Sequence, residues 1–239
     1  MPFFISFLLL FCFSFSTLTL NNLTSNYIFI YEKFYLCCIY YNIISNNLSD
    51  FMNNLIEIND CVLLGSGAEG SVYLTPEGFA LKCFNTIKAA KNEVSILDNV
   101  KDSRFFPNVI IRISNIVIRE YVQGNNLSQY LKTNGLSYSL SIELIELIED
   151  LKRLKFKRIN IRNAHIFIDK NEKVMVIDPR KAYTKITPYP KDIIKILLKL
   201  NLFDTFLKNV LLYRPDLLDY WIDAHNFVIH KYRHLLRYA

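Results

Sequence analysis

Glycine is scarce in this chain, six residues in 239, and proline is little commoner at seven. That composition excludes collagen-like and Gly/Pro-rich disordered chains. The five cysteines (Cys12, Cys37, Cys38, Cys61 and Cys83) make no C-x-x-C and no metal-ligand spacing. Neither a disulfide scaffold nor a zinc finger is indicated. Charge is missing only locally. Of 28 Lys and Arg and 22 Asp and Glu, residues 1–51 contain just Glu32, Lys33 and Asp50. What remains is plentiful apolar surface: 51% of residues are hydrophobic and 14% aromatic, enough to build a sizeable core. The net charge of +6 suits an anionic partner such as a nucleotide, a nucleic acid or an acidic lipid.

The charge-poor start admits three readings. Residues 3–20 approach the length of apolar chain that spans a bilayer. A signal peptide fits less well, because no basic n-region and no A-x-A site is present. The favoured reading sets residues 1–51 aside as an extension outside the working protein, with Met52 opening the domain at MNNLIEINDCVLL. The expectation is a domain over 52–239 in the cytoplasm, with a membrane anchor through 3–20 as the alternative.

Three of the six glycines fall within six positions. Gly65-Ser66-Gly67-Ala68-Glu69-Gly70-Ser71-Val72 follows G-x-G-x-x-G-x-V, with β-rich runs CVLL and SVYL on either side. A dinucleotide fold would place a helix after the last glycine, whereas Val72-Tyr73-Leu74 reads as a strand. A strand–loop–strand lid folds over phosphates, its N–H groups unobstructed by side chains. A plain glycine hairpin has the same spacing. Next comes the alternating run Phe79-Ala80-Leu81-Lys82-Cys83-Phe84, with a lysine where burial is unfavourable unless it meets an anion. Residues 88–100 read as a helix carrying Glu93. Glu93 is either a partner for Lys82 or a solvated helix charge.

Taken in order, these motifs resemble the small lobe of a protein kinase. The resemblance covers roughly residues 56–200. It implies an α+β, two-lobed fold, with a small antiparallel β lobe over about 52–119 and a hinge over about 120–124. A short helical lobe follows over about 125–239. It implies ATP as ligand: Gly65, Ser66, Gly67, Gly70 and Val72 cover the nucleotide, and Lys82 holds the α/β-phosphates and is oriented by Glu93. The run Glu120-Tyr121-Val122-Gln123-Gly124 resembles the hinge. The Glu120 carbonyl and Val122 N–H would then meet the adenine edge, with Arg119 standing where an apolar residue is common.

Residues 140–157 have apolar side chains near helical spacing, with Glu143, Glu146 and Glu149 giving way to Lys152, Arg153, Lys155 and Lys157. Acid early and base late favours the helix dipole. In the following segment, Arg158 to Ile168, the catalytic-loop frame puts Asn160 at the aspartate position and His165 at the metal asparagine. Asn160 cannot accept a proton as a carboxylate would, yet its carbonyl could orient a hydroxyl. Asp178-Pro179-Arg180 stands in place of D-F-G and keeps only the metal-binding aspartate. Asp178 suits Mg²⁺, and His165 suits Mn²⁺ better than Mg²⁺. His165 reads equally well as a buried structural histidine.

Another helix begins at Lys191-Asp192, with no A-P-E and no long activation segment before it. By the resemblance Asp192 would brace the catalytic-loop backbone; alternatively it is a charge favoured at a helix N-terminus. The pattern is nearest to small atypical bacterial kinases of the RIO and lipopolysaccharide-kinase types. The tail reads as two helices broken near Arg214-Pro215, and His230 and His234 lack a third metal ligand. The expectation is a slow ATP- and Mg²⁺-dependent serine/threonine-kinase-like phosphotransferase acting on a protein or small-molecule hydroxyl, with no nucleic-acid partner. The alternative is a pseudokinase serving as a binding module.

Overall fold

The computed structural model describes residues 60–236. The expectations for residues 1–51 and for a start at Met52 lie outside them. Among the described residues the fold is α+β: a five-stranded antiparallel sheet, a smaller three-stranded sheet and six α-helices. None of these helices is long and apolar enough to cross a membrane.

The larger sheet has the order β1-β2-β3-β5-β4. Its strands are β1 (Val62–Gly67), β2 (Gly70–Leu74), β3 (Phe79–Phe84), β4 (Val109–Ile113) and β5 (Ile116–Glu120). Strand β3 is central, with Lys82 paired across to Val72 on β2 and to Val117 on β5. The two-residue period puts Ala80, Lys82 and Phe84 on one face. Helix α1 (Ile87–Asn99) begins at Thr86, whose hydroxyl accepts the Ala89 N–H at 3.2 Å. It packs on that face through Ala90, which joins Phe84 and Val117 in a buried cluster.

The second and larger core surrounds α3 (Tyr138–Arg153). Leu140, Leu144, Leu147, Ile148 and Leu151 are fully buried along it, the i, i+4, i+7 stripe expected of a core helix. Ser137 caps its start, accepting the Leu140 N–H at 2.9 Å. Glu143 is not a solvated dipole charge. It is buried, its carboxylate accepting from Arg104 (2.5 Å), Lys173 (3.0 Å) and the Val174 N–H (3.4 Å). These donors hold its pKa below the ordinary value although burial alone would raise it. Helices α2 (Leu127–Asn134), α4 (Lys191–Lys199), α5 (Phe203–Tyr213) and α6 (Leu218–Leu236) complete this part. The break between α5 and α6 falls at Arg214-Pro215, as the sequence indicates.

Strands β6 (Asn125–Asn126), β7 (Ile166–Ile168) and β8 (Val174–Val176) form the small sheet. Gly124 precedes it at φ +114, and a Cβ there would lie 2.0 Å from the Ile168 carbonyl oxygen. Only glycine admits that approach. The Val176 N–H donates to the Phe105 carbonyl at 2.7 Å, tying β8 to the segment that leaves α1.

Candidate functional site

The site starts at the β1–β2 hairpin. Gly67 faces Gly70 across its tip and Ser66 faces Ser71, the two hydroxyls 2.7 Å apart. The tip is fastened to the end of β3: the Asn85 N–H donates to the Glu69 carbonyl (2.8 Å) and its side-chain amide to the Ala68 carbonyl (3.0 Å). That closeness explains Gly70, whose φ is +145 and whose Cβ would meet the Cys83 carbonyl oxygen at 1.9 Å.

Behind the hairpin, Lys82 Nζ bonds and ion-pairs with Glu93 Oε2 on α1. Lys82 is 8% exposed and Glu93 2%. Burial pushes the Glu93 carboxyl above its ordinary pKa, while Lys82 and then Arg119 pull it back. The Phe84 ring lies 4.4 Å from Lys82 Nζ and adds a cation–π contact. The sequence left Glu93 between partner and solvated charge, and the structure places it as the partner.

A cavity of ≈ 790 Å³ opens in front of Lys82. The hairpin lines it with Gly65, Ser66, Gly67, Gly70 and Val72, and β3 with Ala80 and Lys82. Tyr121 and Val122 reach it from the segment after β5. Ala164, His165, Phe167, Ile177 and Asp178 reach it from around the small sheet. The glycine-run positions, Lys82, Val122, His165 and Asp178 are therefore brought together as the sequence predicts. His165 Nδ1 stands 3.7 Å from Asp178 Oδ2. Burial lowers the His165 pKa; Asp178 opposes this, and Arg162, Arg180 and Arg158 reinforce it. Among the described residues no group of three or more His, Cys, Asp or Glu could hold a metal ion. A cation held by Asp178 and His165 would need further oxygen ligands from a phosphate or water.

Three predicted residues, Glu93, Asn160 and Glu120, do not line this cavity; Glu93 acts on it only through its bond to Lys82. Asn160 is buried and bonds Asp192 at both ends of its amide: Oδ1 accepts the Asp192 N–H at 2.8 Å and Nδ2 donates to Asp192 Oδ2 at 3.0 Å. The physical reason is the bare start of α4. Pro190 provides no side-chain cap there, and the Asn160 carbonyl takes the free N–H instead. That carbonyl accordingly faces α4 and not a substrate hydroxyl. Among the described residues, Asp192 meets the loop through side-chain amides and not through loop backbone: besides Asn160, its backbone carbonyl accepts from the Asn163 amide at 2.9 Å. The Glu120 side chain turns to Asn108, accepting its N–H at 2.9 Å.

Four further charged residues, Glu69, Arg119, Arg162 and Arg180, line the cavity. Arg119 on β5 is 4% exposed, its Nε has no hydrogen-bond partner, and its Nη1 reaches the Glu120 carbonyl at 3.4 Å. A cation within the apolar run Ile116-Val117-Ile118 was its sequence signal. Arg162 is a second cation on the wall. Arg180 bridges Glu69 on the hairpin (2.5 Å) and Asp178 (2.9 Å), so a carboxylate–guanidinium–carboxylate chain runs along the cavity lining. Only the proximity of Arg180 to Asp178 was legible in the sequence. No protein-family model matches the chain, and no curated protein matches it significantly.

Proposed function

We propose that the chain carries a two-lobed, kinase-like domain that binds ATP with a divalent cation and slowly transfers phosphate to a hydroxyl group. The observation that carries this reading is the buried Lys82–Glu93 pair on the wall of a glycine-edged cavity. A lysine held in place by a buried carboxylate, with apolar walls around it, is preorganised to meet phosphate oxygens. In this reading the hairpin N–H groups of Gly65–Gly70 cover the phosphates and Lys82 meets the α/β-phosphates. The backbone of Glu120–Val122 meets the base. Asp178 and His165 would hold Mg²⁺ or Mn²⁺, which when bound neutralises phosphate charge. An imidazole beside a carboxylate fits Mn²⁺ at least as well as Mg²⁺. ATP is a cytoplasmic metabolite, and the reading places the domain in that compartment.

A second reading, a pseudokinase serving as a binding module, is favoured by two contacts. Asn160 offers no proton acceptor and faces Asp192, and Arg180 pairs with the Asp178 carboxylate. General-base loss lowers rates roughly 10²–10⁴-fold, which slows transfer without abolishing positioning. The test is thermal stabilisation of the full-length protein by ATP, with and without Mg²⁺ or Mn²⁺, alongside a phosphotransfer assay. ATP at 100 times its Kd should stabilise the fold by about 2.7 kcal/mol, and Asp178→Asn should remove the cation-dependent part. Binding without transfer would select the pseudokinase; absence of ATP stabilisation in the wild type would refute the phosphotransferase and the nucleotide-binding pseudokinase alike.

A further inference from the structure

A second pocket, ≈ 170 Å³, adjoins the larger cavity and shares Arg162, His165, Asp178 and Arg180 with it. Arg158, Lys181 and Lys185 line the smaller pocket alone. Five cations thus surround a space of this size, against one carboxylate.

Two chain segments build the pocket, and backbone bonds lace them together. The Lys157 and Arg158 N–H groups donate to the Ala182 carbonyl (2.8 and 3.0 Å). The Ile159 N–H donates to the Thr187 carbonyl, and the Thr187 N–H to that of Lys157, both at 2.9 Å. Arg158 adds a side-chain link, its guanidinium donating to the Arg180 carbonyl (2.6 Å) and to that of Asn160 (3.1 Å). Within the second segment, the Lys181 carbonyl accepts from the Thr184 and Lys185 N–H groups (3.3 and 3.1 Å). This turn sets Lys181 and Lys185 on one side. Lys181 itself sits at φ +58, a conformation that a residue with a Cβ adopts at a cost.

The cations are poorly answered by the protein. Asp178 and Glu69 both pair with Arg180. Among the described residues, Arg158, Arg162, Lys181 and Lys185 have no carboxylate at ion-pair distance. Burial lowers the Arg158 pKa; Asp178 opposes that, and Arg162 and Arg180 add to it. Like charges held together on a fastened backbone are a receptor for an anion of more than one charge.

We propose that this pocket binds the phosphate group of a small phosphorylated molecule. Resting on the nucleotide reading above, that molecule is the phosphate acceptor, since the pocket meets the larger cavity at Asp178 and His165. The acceptor's hydroxyl oxygen bonds the γ-phosphorus and the bond from that phosphorus to the β–γ bridging oxygen breaks. ADP leaves with the electron pair, and the hydroxyl proton passes to water. The pocket volume suits one phosphate group on a small molecule rather than a length of polymer.

The test uses the full-length protein, calorimetric titration with inorganic phosphate and glycerol phosphate, and the variant Lys181→Gln/Lys185→Gln. Both side chains are exposed, so the unliganded melting temperature stays near that of the wild type. Wild type should bind both probes in the presence of saturating ATP, and the double variant should bind them about tenfold or more weakly. Equal binding by the variant, or complete displacement of phosphate by ATP, would overturn the proposal. A phosphoserine peptide binding more tightly than glycerol phosphate would overturn its small-molecule part. If ATP fails to bind while phosphate binds through Lys181 and Lys185, the anion pocket stands and its role as acceptor site falls with the nucleotide reading.

Discussion

Replacing Lys82 with methionine takes the cation from a carboxylate that is 2% exposed. Among the described residues Glu93 Oε1 already has no hydrogen-bond partner, and Lys82 is the only partner of Oε2 in a hydrogen bond. Arg119 is the remaining cation acting on Glu93, while Asp178 acts in the opposite sense. Breaking a buried pair by removing one partner costs about 3–5 kcal/mol. For a domain of this size that corresponds to a fall of about 6–20 °C in Tm. Adding Glu93→Met removes the stranded charge and leaves two apolar side chains near the Phe84 ring, so the double variant should regain most of the loss. pH supplies a second readout. Burial already raises the Glu93 pKa in the fold, and losing Lys82 raises it further. A carboxyl with a raised folded pKa binds more protons folded than unfolded. Its stabilising contribution is complete below the ordinary carboxylate pKa and is lost as pH rises through the folded value. The deficit of Lys82→Met should therefore be small near about pH 4 and grow toward about pH 8, with no such slope in the double variant. Urea denaturation followed by circular dichroism measures both effects. A double variant as unstable as Lys82→Met, or an identical pH slope in the two, would refute this account of the pair.

Asn160→Asp sets a carboxylate against Asp192 Oδ2, where an amide now donates at 3.0 Å. It should destabilise the domain by roughly 1–3 kcal/mol at neutral pH, with the loss easing in urea melts as pH falls and one of the two carboxyls takes a proton. Arg119→Met removes a guanidinium that only donates hydrogen bonds from a cavity where, in the nucleotide reading, the adenine amino group would also donate. Calorimetry should show ATP binding roughly three- to tenfold tighter, and weaker binding would show that Arg119 assists the nucleotide.

Periodic features were the legible ones. Strand β3 announced itself by two-residue alternation, α1 and α3 by apolar stripes, and the α5–α6 break by Pro215. Strand β4 was not recognised, because Val109–Ile113 is short and its partner β5 lies across a turn through Ser114 at φ +54. The site was legible where chain position alone sets location, as for Lys82 in mid-strand and Asp178 just beyond a strand. It was not where a side chain chooses between neighbours. Spacing from the run Ile166-Phe167-Ile168 gave the backbone place of Asn160, but its rotamer answers to Asp192, 32 residues on. Glu143 is similar: it is buried, and its partners Arg104 and Lys173 lie 39 and 30 residues away. The cationic pocket escaped notice because Arg158, Arg180 and Lys185 converge only once the two loops are bonded together.

The glycine hairpin has an unequal share of support. Strand β1 pairs only with β2 among the described residues, and all six of its positions are exposed. Strand β3, by contrast, is held on both sides by β2 and β5. Local opening free energy follows such differences in packing and hydrogen bonding. Amide protons of Val62–Gly67 will exchange with solvent through small, frequent openings, whereas those around Lys82 will wait for cooperative unfolding of the sheet. A ligand bridging the two would appear in an exchange experiment as slowed labelling confined to the hairpin, the part of the site that has most freedom to lose.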